Sequence, residues 1–280
     1  MFRTAAMRIA RSLAIGAASL SPAALPVWCV PKAAASGAAV PPESASRGAL
    51  IVFEGVDRSG KTTQARLLAE RLSQNGVKAK FICFPDRSTA IGKVINAYLT
   101  NAKELDDRCI HLLFSANRWE AAAALTAALK NGETVVVDRY AYSGIAFSVA
   151  KGRPGMGLEW CAAPDAGLPQ PDKVLFMRIP EAAATSRGGF GEERYEKAAF
   201  QDRVRSAFGS LRTGIAAGIR ADGAEGGIWE DIDAVGSIEE VAARVMGAAM
   251  PAVKWAADGA PLRELWADDG SANSNSTERA

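Results

Sequence analysis

Apolar residues recur along this chain in two rhythms. Five short runs, Ala49–Glu54, Lys80–Phe84, Thr134–Asp138, Lys173–Arg178 and Gly227–Ile232, have the length and the valine, isoleucine and phenylalanine content of buried strands. Between them lie segments with helical spacing, which predict helices over Thr62–Asn75, Thr89–Asn101, Asp106–Leu129, Glu159–Cys161, Pro180–Thr185, Glu196–Ala217 and Ile238–Met250. Strands and helices that alternate in this way predict an α/β fold, a doubly wound parallel sheet of about five strands flanked by helices. No internal repeat is visible. The pattern holds over residues 48–250 and fails on both sides of it. Residues 1–47 are rich in Ala, Ser and Pro and read as an N-terminal extension; residues 251–280 read as a mostly disordered tail. Within that tail Trp255, Leu262, Leu265 and Trp266 predict one small docking element.

The first strand runs into Gly55-Val56-Asp57-Arg58-Ser59-Gly60-Lys61-Thr62-Thr63, which fits G-x-x-x-x-G-K-T, and a helical pattern follows at once. Strand, loop and helix in that order make a phosphate-binding loop. Gly55 and Gly60 allow the backbone to curl, and the exposed amides and helix N-terminus then face an anion. Lys61 can bridge the β- and γ-phosphates of a nucleoside triphosphate, and the Thr62 hydroxyl can ligate Mg²⁺. The third strand ends in Asp138-Arg139. Beyond the carboxyl end of a parallel sheet these stand beside the loop, with the acid suited to Mg²⁺ through water and the arginine to a second phosphate. Arg87, after the second strand, can offer a guanidinium fork to a phosphate. Phe114 and Arg118 lie four apart on one predicted helix and together offer a stacking face and a donor pair for a nucleobase. The segment Ser186–Glu196, with three glycines and flanking arginines, reads as a mobile lid.

Composition narrows the chemistry. The chain has 280 residues, 49% apolar and 23% charged, enough for one sizeable core. A net charge of +2 excludes nucleic-acid binding by bulk electrostatics. The four cysteines form no C-x-x-C pair and read as reduced, buried thiols rather than a zinc site. The one histidine, His111, reads as structural, and no triad can be built around it. No segment reads as a membrane span. Residues 1–47 carry Arg3, Arg8 and Arg11 among apolar residues and a single acid, Glu43, the composition of an organelle transit peptide. Mitochondrial import is the expectation, with plastid import or a cytoplasmic or nuclear location as alternatives.

From about Arg47 to about Met250 the chain resembles thymidylate kinases of the eukaryotic type, most specifically over Gly48–Thr63, Phe84–Gly92, His111–Glu120, Asp138–Phe147, Trp160–Asp172 and Arg187–Gln201. The resemblance implies a P-loop nucleoside monophosphate kinase architecture and transfer of the γ-phosphoryl group of ATP to dTMP with Mg²⁺. It implies that Gly55, Ser59, Gly60, Lys61, Thr62 and Thr63 cradle the ATP phosphates and that Arg187 lies against adenine. It makes Arg58 the catalytic arginine and Asp138 the organiser of Mg²⁺. On the acceptor side, Arg87 and Arg139 would hold the dTMP phosphate, and Phe114 would stack on thymine while Arg118 and Ser143 meet its edge. Phe147 would crowd the sugar 2′ position, Asp57 with Gln201 would reach the 3′-hydroxyl, and Tyr195 would close over the sugar. A homodimer with the Phe114 helix near its interface is also implied. The rivals are a kinase for UMP or CMP and a nucleotide-binding protein without turnover. The chain departs from the family pattern at the glycine-rich Ile215–Gly227 and Lys151–Gly157 segments and after Met250.

Overall fold

The computed structural model describes residues 46–180, 193–213 and 228–266. Five parallel strands, β1 (Leu50–Glu54), β2 (Ala79–Cys83), β3 (Thr134–Asp138), β4 (Lys173–Arg178) and β5 (Trp229–Asp233), form one sheet in the order β2-β3-β1-β4-β5. Every residue of β1 and β3 is buried, so their runs are apolar almost throughout rather than alternating. The register pairs Phe53 of β1 and Cys83 of β2 with Asp138 of β3. The carboxyl ends of the three strands therefore lie level, and the loops that leave them meet above one crevice.

Among the described residues seven helices accompany the sheet: α1 (Lys61–Gln74), α2 (Ala90–Leu99), α3 (Asp107–Lys130), α4 (Ala141–Val149), α5 (Leu158–Ala162), α6 (Ala198–Thr213) and α7 (Ile238–Ala257). Helix α1 packs on β1–β3 and against α7, while α4 packs on both α3 and α6. Several starts carry their own signals. Thr89 caps α2 by accepting from the Gly92 amide at 2.9 Å. Ser237 and Glu240 form a capping box on α7.

Two sequence expectations are corrected. The segment after Asp138 is a helix, α4, which the pattern does not predict: its nine residues, AYSGIAFSV, are short and apolar on nearly all sides. The last helix does not stop at Met250. Helix α7 continues through Pro251 to Ala257, and a return segment pairs Pro169 with Glu264 and buries Leu265 completely. Trp266 meets the ring of Tyr142 edge-on at 6.1 Å. The predicted docking element thus exists within the described residues. Arg47 fastens it, donating to Ala260 O at 2.7 Å, Pro261 O at 2.9 Å and both oxygens of Asp172 at 2.7 and 2.8 Å. The expected helix Pro180–Thr185 beyond its first residue, residues 186–192 of the expected lid with Arg187, the 215–227 segment and residues 1–45 and 267–280 lie outside the described residues. Among the described residues no helix is long and apolar enough to cross a membrane.

Candidate functional site

One cleft of about 810 Å³ opens over the carboxyl ends of β1, β2 and β3. The loop after β1 contributes Asp57, Arg58, Ser59, Gly60, Lys61, Thr62 and Thr63 to its wall. Gly55 turns the chain out of the strand at φ +137°, and a Cβ there would stand 2.9 Å from the carbonyl oxygen of Met177. Gly60 caps α1 in the left-handed region, at φ +92°, with no side-chain hydrogen bond and no acid in the first turn. The first amides of α1 thus lack a side-chain acceptor, the condition under which a helix N-terminus attracts an anion. Two non-glycine residues of the cleft, Arg58 and Arg139, also adopt positive φ, 62° and 65°. Such conformations cost about 1–3 kcal/mol and persist where a site requires them.

Lys61 is buried, and its ammonium donates to Val56 O at 2.6 Å and Ser59 Oγ at 3.2 Å. Burial, with the Arg139 charge, pushes its pKa down to about 8, against the pull of Asp138, Asp57 and Glu54. The Thr62 hydroxyl donates to Asp138 Oδ2, and Asp138 Oδ1 is buried with no hydrogen-bond partner.

Four arginines of the cleft, Arg58 of the loop itself among them, are each held by a carboxylate. Arg87 pairs with Glu193 at 2.9 Å and also donates to Asn96 Oδ1; both partners of the pair are about two-fifths exposed. Arg139 pairs with Asp57, donates to Gly55 O and Ser143 Oγ, and lies 5.0 Å over the Phe147 ring. Arg58 pairs with Glu196 at 2.9 Å. Arg118 pairs with fully buried Asp165 at 2.6 Å. Gln201 sits behind the cleft wall and holds Asp57 twice, accepting from its amide at 2.9 Å and donating to Oδ2 at 2.6 Å. Phe114, Ser143, Phe147 and Tyr195 line the remaining wall, with Tyr195 stacked on Phe200 at 5.1 Å. The fold therefore gathers fifteen of the sequence-derived site residues on one surface, with Gly55 and Gln201 immediately behind it.

Sequence reasoning passed over several residues that build this surface. Glu54, fully buried at the end of β1, accepts from the amides of Tyr140 and Ser143 at 3.0 Å each and from the Ser143 hydroxyl. It thereby caps α4, whose own N-cap residue has no capping side chain. Burial raises its pKa, against the opposing pull of these hydrogen bonds and of Arg139. Asn117 on α3 accepts from the Asp86 amide at 2.8 Å and donates to Asp86 O and Thr89 Oγ1, which fixes the loop that carries Arg87. The wall also runs on to Ala234, Gly236, Ser237, Ile238 and Val241 at the start of α7, beside Gln64. A strand-terminal acid after a run of apolar residues was the available signal for Glu54; the others sit in ordinary local sequence. His111 is structural, as expected: its ring is buried against Trp160, Nδ1 lies 2.8 Å from Ser148 Oγ, and burial lowers its pKa to about 4. The cysteines depart from expectation, since Cys83 and Cys109 are exposed and only Cys161 is buried among the described residues.

Residues 53–219 match the family model described as thymidylate kinase. The chain is 45% identical over 223 residues to the thymidylate kinase of Homo sapiens, an alignment that covers 80% of this chain and 99% of the relative. It is 45% identical over 220 residues to that of Arabidopsis thaliana, covering 79% of this chain and 78% of the relative. The solved structure of the Candida albicans thymidylate kinase superposes with a TM-score of 0.67 at 34% identity, covering 79% of this chain and all of that one.

Proposed function

We propose, from the premise that this chain belongs to the thymidylate kinase family and converts ATP and dTMP to ADP and dTDP, that the two halves of its cleft divide this reaction between them. The phosphate loop takes the donor, and the arginine side takes the acceptor. The observation that carries this division is the pairing of an amide-lined helix N-terminus with arginines across a single cleft. A 5′-phosphate oxygen of dTMP attacks the γ-phosphorus, and the bond to the bridging oxygen of ADP breaks. Such a transfer needs alignment and charge neutralisation and no covalent nucleophile. Lys61 leaves its loop oxygens for the β- and γ-phosphates, and Arg58 meets the transferring group. Arg87 and Arg139 take the acceptor phosphate, Phe114 lies on thymine, and Arg118 with Ser143 meets its edge. Phe147 leaves no room for a 2′-hydroxyl, while Asp57 and Gln201 bind the 3′-hydroxyl beneath Tyr195.

The donor set fits Mg²⁺. The unpartnered buried oxygen of Asp138 and the adjoining Thr62 hydroxyl would hold the ion. When bound, Mg²⁺ withdraws charge from the phosphate oxygens.

We propose a homodimer through α3, supported by Leu112 and Trp119, which stand 47% and 43% exposed on that helix. Residues 1–47 act as a mitochondrial targeting segment in this reading, on their arginine-rich, acid-poor composition. A reporter fused to them and found in the cytosol would sink that assignment. The reaction itself is tested by coupled ADP release with ATP and Mg²⁺ on dTMP, dUMP, UMP, CMP and GMP. Strong preference for dTMP is expected. Preference for UMP or CMP would discard the acceptor-side roles and keep the donor loop, and no turnover on any of them would favour a binding protein.

A further inference from the structure

We propose that Asp165 is a positioning residue for acceptor-base selection: it clamps the Arg118 guanidinium so that the site accepts a pyrimidine with a carbonyl at position 4 and rejects one with an amine there. This rests on the reading of Arg118 as the group that meets the thymine edge. Asp165 ends a 3₁₀ turn (Ala163–Asp165) after α5 and is fully buried. Its Oδ1 accepts from Arg118 Nε at 3.0 Å, and its Oδ2 accepts from Arg118 NH2 at 2.6 Å. Two parallel bonds of this kind stop the guanidinium from turning about its stem. Ser115, one helical turn before Trp119 on α3, places its hydroxyl 2.8 Å from Asp165 Oδ1 and 2.9 Å from Pro164 O, which holds the carboxylate in turn.

The opposite side of the guanidinium is closed by backbone. A Cβ at Gly144 on α4 would lie 2.8 Å from Arg118 NH2 and 3.1 Å from NH1. The group is therefore held between a carboxylate and a helix that has no side chain at that point. Within the described structure both Arg118 hydrogen bonds go to Asp165, so NH1 is not committed to a protein partner, and the side chain lines the cleft. A guanidinium offers donors only. Thymine presents an acceptor at O4, whereas cytosine presents an amine donor at the same place. A mobile arginine could swing away from that amine and tolerate it. A clamped one leaves donor against donor in a buried site, which is the arrangement that discriminates most strongly.

A purely structural pair, stapling α3 to the turn, would behave differently. Its loss would lower stability and slow both acceptors alike. The test measures kcat/KM for dTMP and for dCMP, with the KM for ATP, on the full chain and its Asp165→Asn, Gly144→Ala and Arg118→Met variants. Asp165→Asn is expected to lower the dTMP-to-dCMP ratio by about tenfold to a hundredfold, the range of one lost base-edge contact, and to do so mainly through the KM for dTMP. The KM for ATP stays near the parent value. A retained ratio with both acceptors slowed together overturns the proposal. Should Asp165→Asn fail to fold, Gly144→Ala decides in its place, because it displaces the guanidinium without stranding a buried charge. The Arg118→Met variant separates the two layers. An unchanged ratio there overturns the base-reading role itself; a collapsed ratio there with intact selectivity in the other variants overturns the positioning role alone.

Discussion

The donor half and the acceptor half of the cleft hold their cations by different means. Lys61 is curled onto neutral oxygens of its own loop, Val56 O and Ser59 Oγ, and is buried. Arg87 and Arg139 are instead held by carboxylates that come from distant parts of the chain, Glu193 and Asp57. Phosphate arriving at Lys61 replaces dipoles and meets an ammonium already stripped of water. Phosphate arriving at Arg87 must compete with an anion in partial contact with solvent. The first arrangement supplies strength in the transition state. The second keeps arginines ordered before the acceptor arrives, and it places the opposing negative charge where a substrate can displace it.

The largest test of this contrast is Lys61→Met. Its kcat is expected to fall by about a thousandfold, as for loss of a group that meets developing charge, with dTMP affinity changed far less. The same variant should melt higher, because it relieves a buried charge; each kcal/mol relieved is worth about 2–4 °C in a domain of this size. Equal losses of rate and dTMP affinity would erase the distinction between the halves. Next comes Arg87→Ala, for which the KM for dTMP should rise by about tenfold to a hundredfold, the worth of a charged hydrogen bond to phosphate. Its melting temperature should hardly move, since the pair with Glu193 is half in solvent. A third test uses pH. Lys61, held down to about 8, is charged below that value and neutral above it, so kcat/KM for ATP in the free enzyme should fall about tenfold per unit above pH 8. The kcat profile should break at higher pH, because bound phosphate favours the ammonium. The smallest effect is the most diagnostic of competition: Glu193→Gln should lower the KM for dTMP about two- to fivefold, the range of an exposed ion pair. A raised KM would show that Glu193 assists the acceptor site.

Most of the sheet and the donor loop were legible in the sequence because both rest on local patterns. A fully apolar strand, a glycine at fixed spacing and a helix start are written within about twenty residues of one another. Helix α4 was not legible, since AYSGIAFSV carries no polar face to set a period and takes its cap from Glu54, 86 residues before Tyr140. The carboxylate partners of the arginines were invisible for the same reason. Glu193 lies 106 residues from Arg87, and nothing in either neighbourhood announces the other. The last helix runs past its expected end at Met250 because Pro251 is accommodated within α7, whose apolar face continues with Ala252, Val253 and Ala256.

The clasp at Arg47 has a topological consequence. Its guanidinium touches Ala260, Pro261 and Asp172, so the strand-entry segment and the return segment after α7 are neighbours rather than opposite ends of the molecule. Over residues 46–266 the path of the chain thus returns close to where it begins, and where such a path is cut matters less than that it stays closed. In a variant cut to residues 46–266, a covalent linker from Trp266 back to Ser46 would complete it. The exposed Asn75–Gly76 turn between α1 and β2, where a Cβ on the glycine would meet nothing within 4 Å, then offers a place to begin and end the chain without touching the cleft.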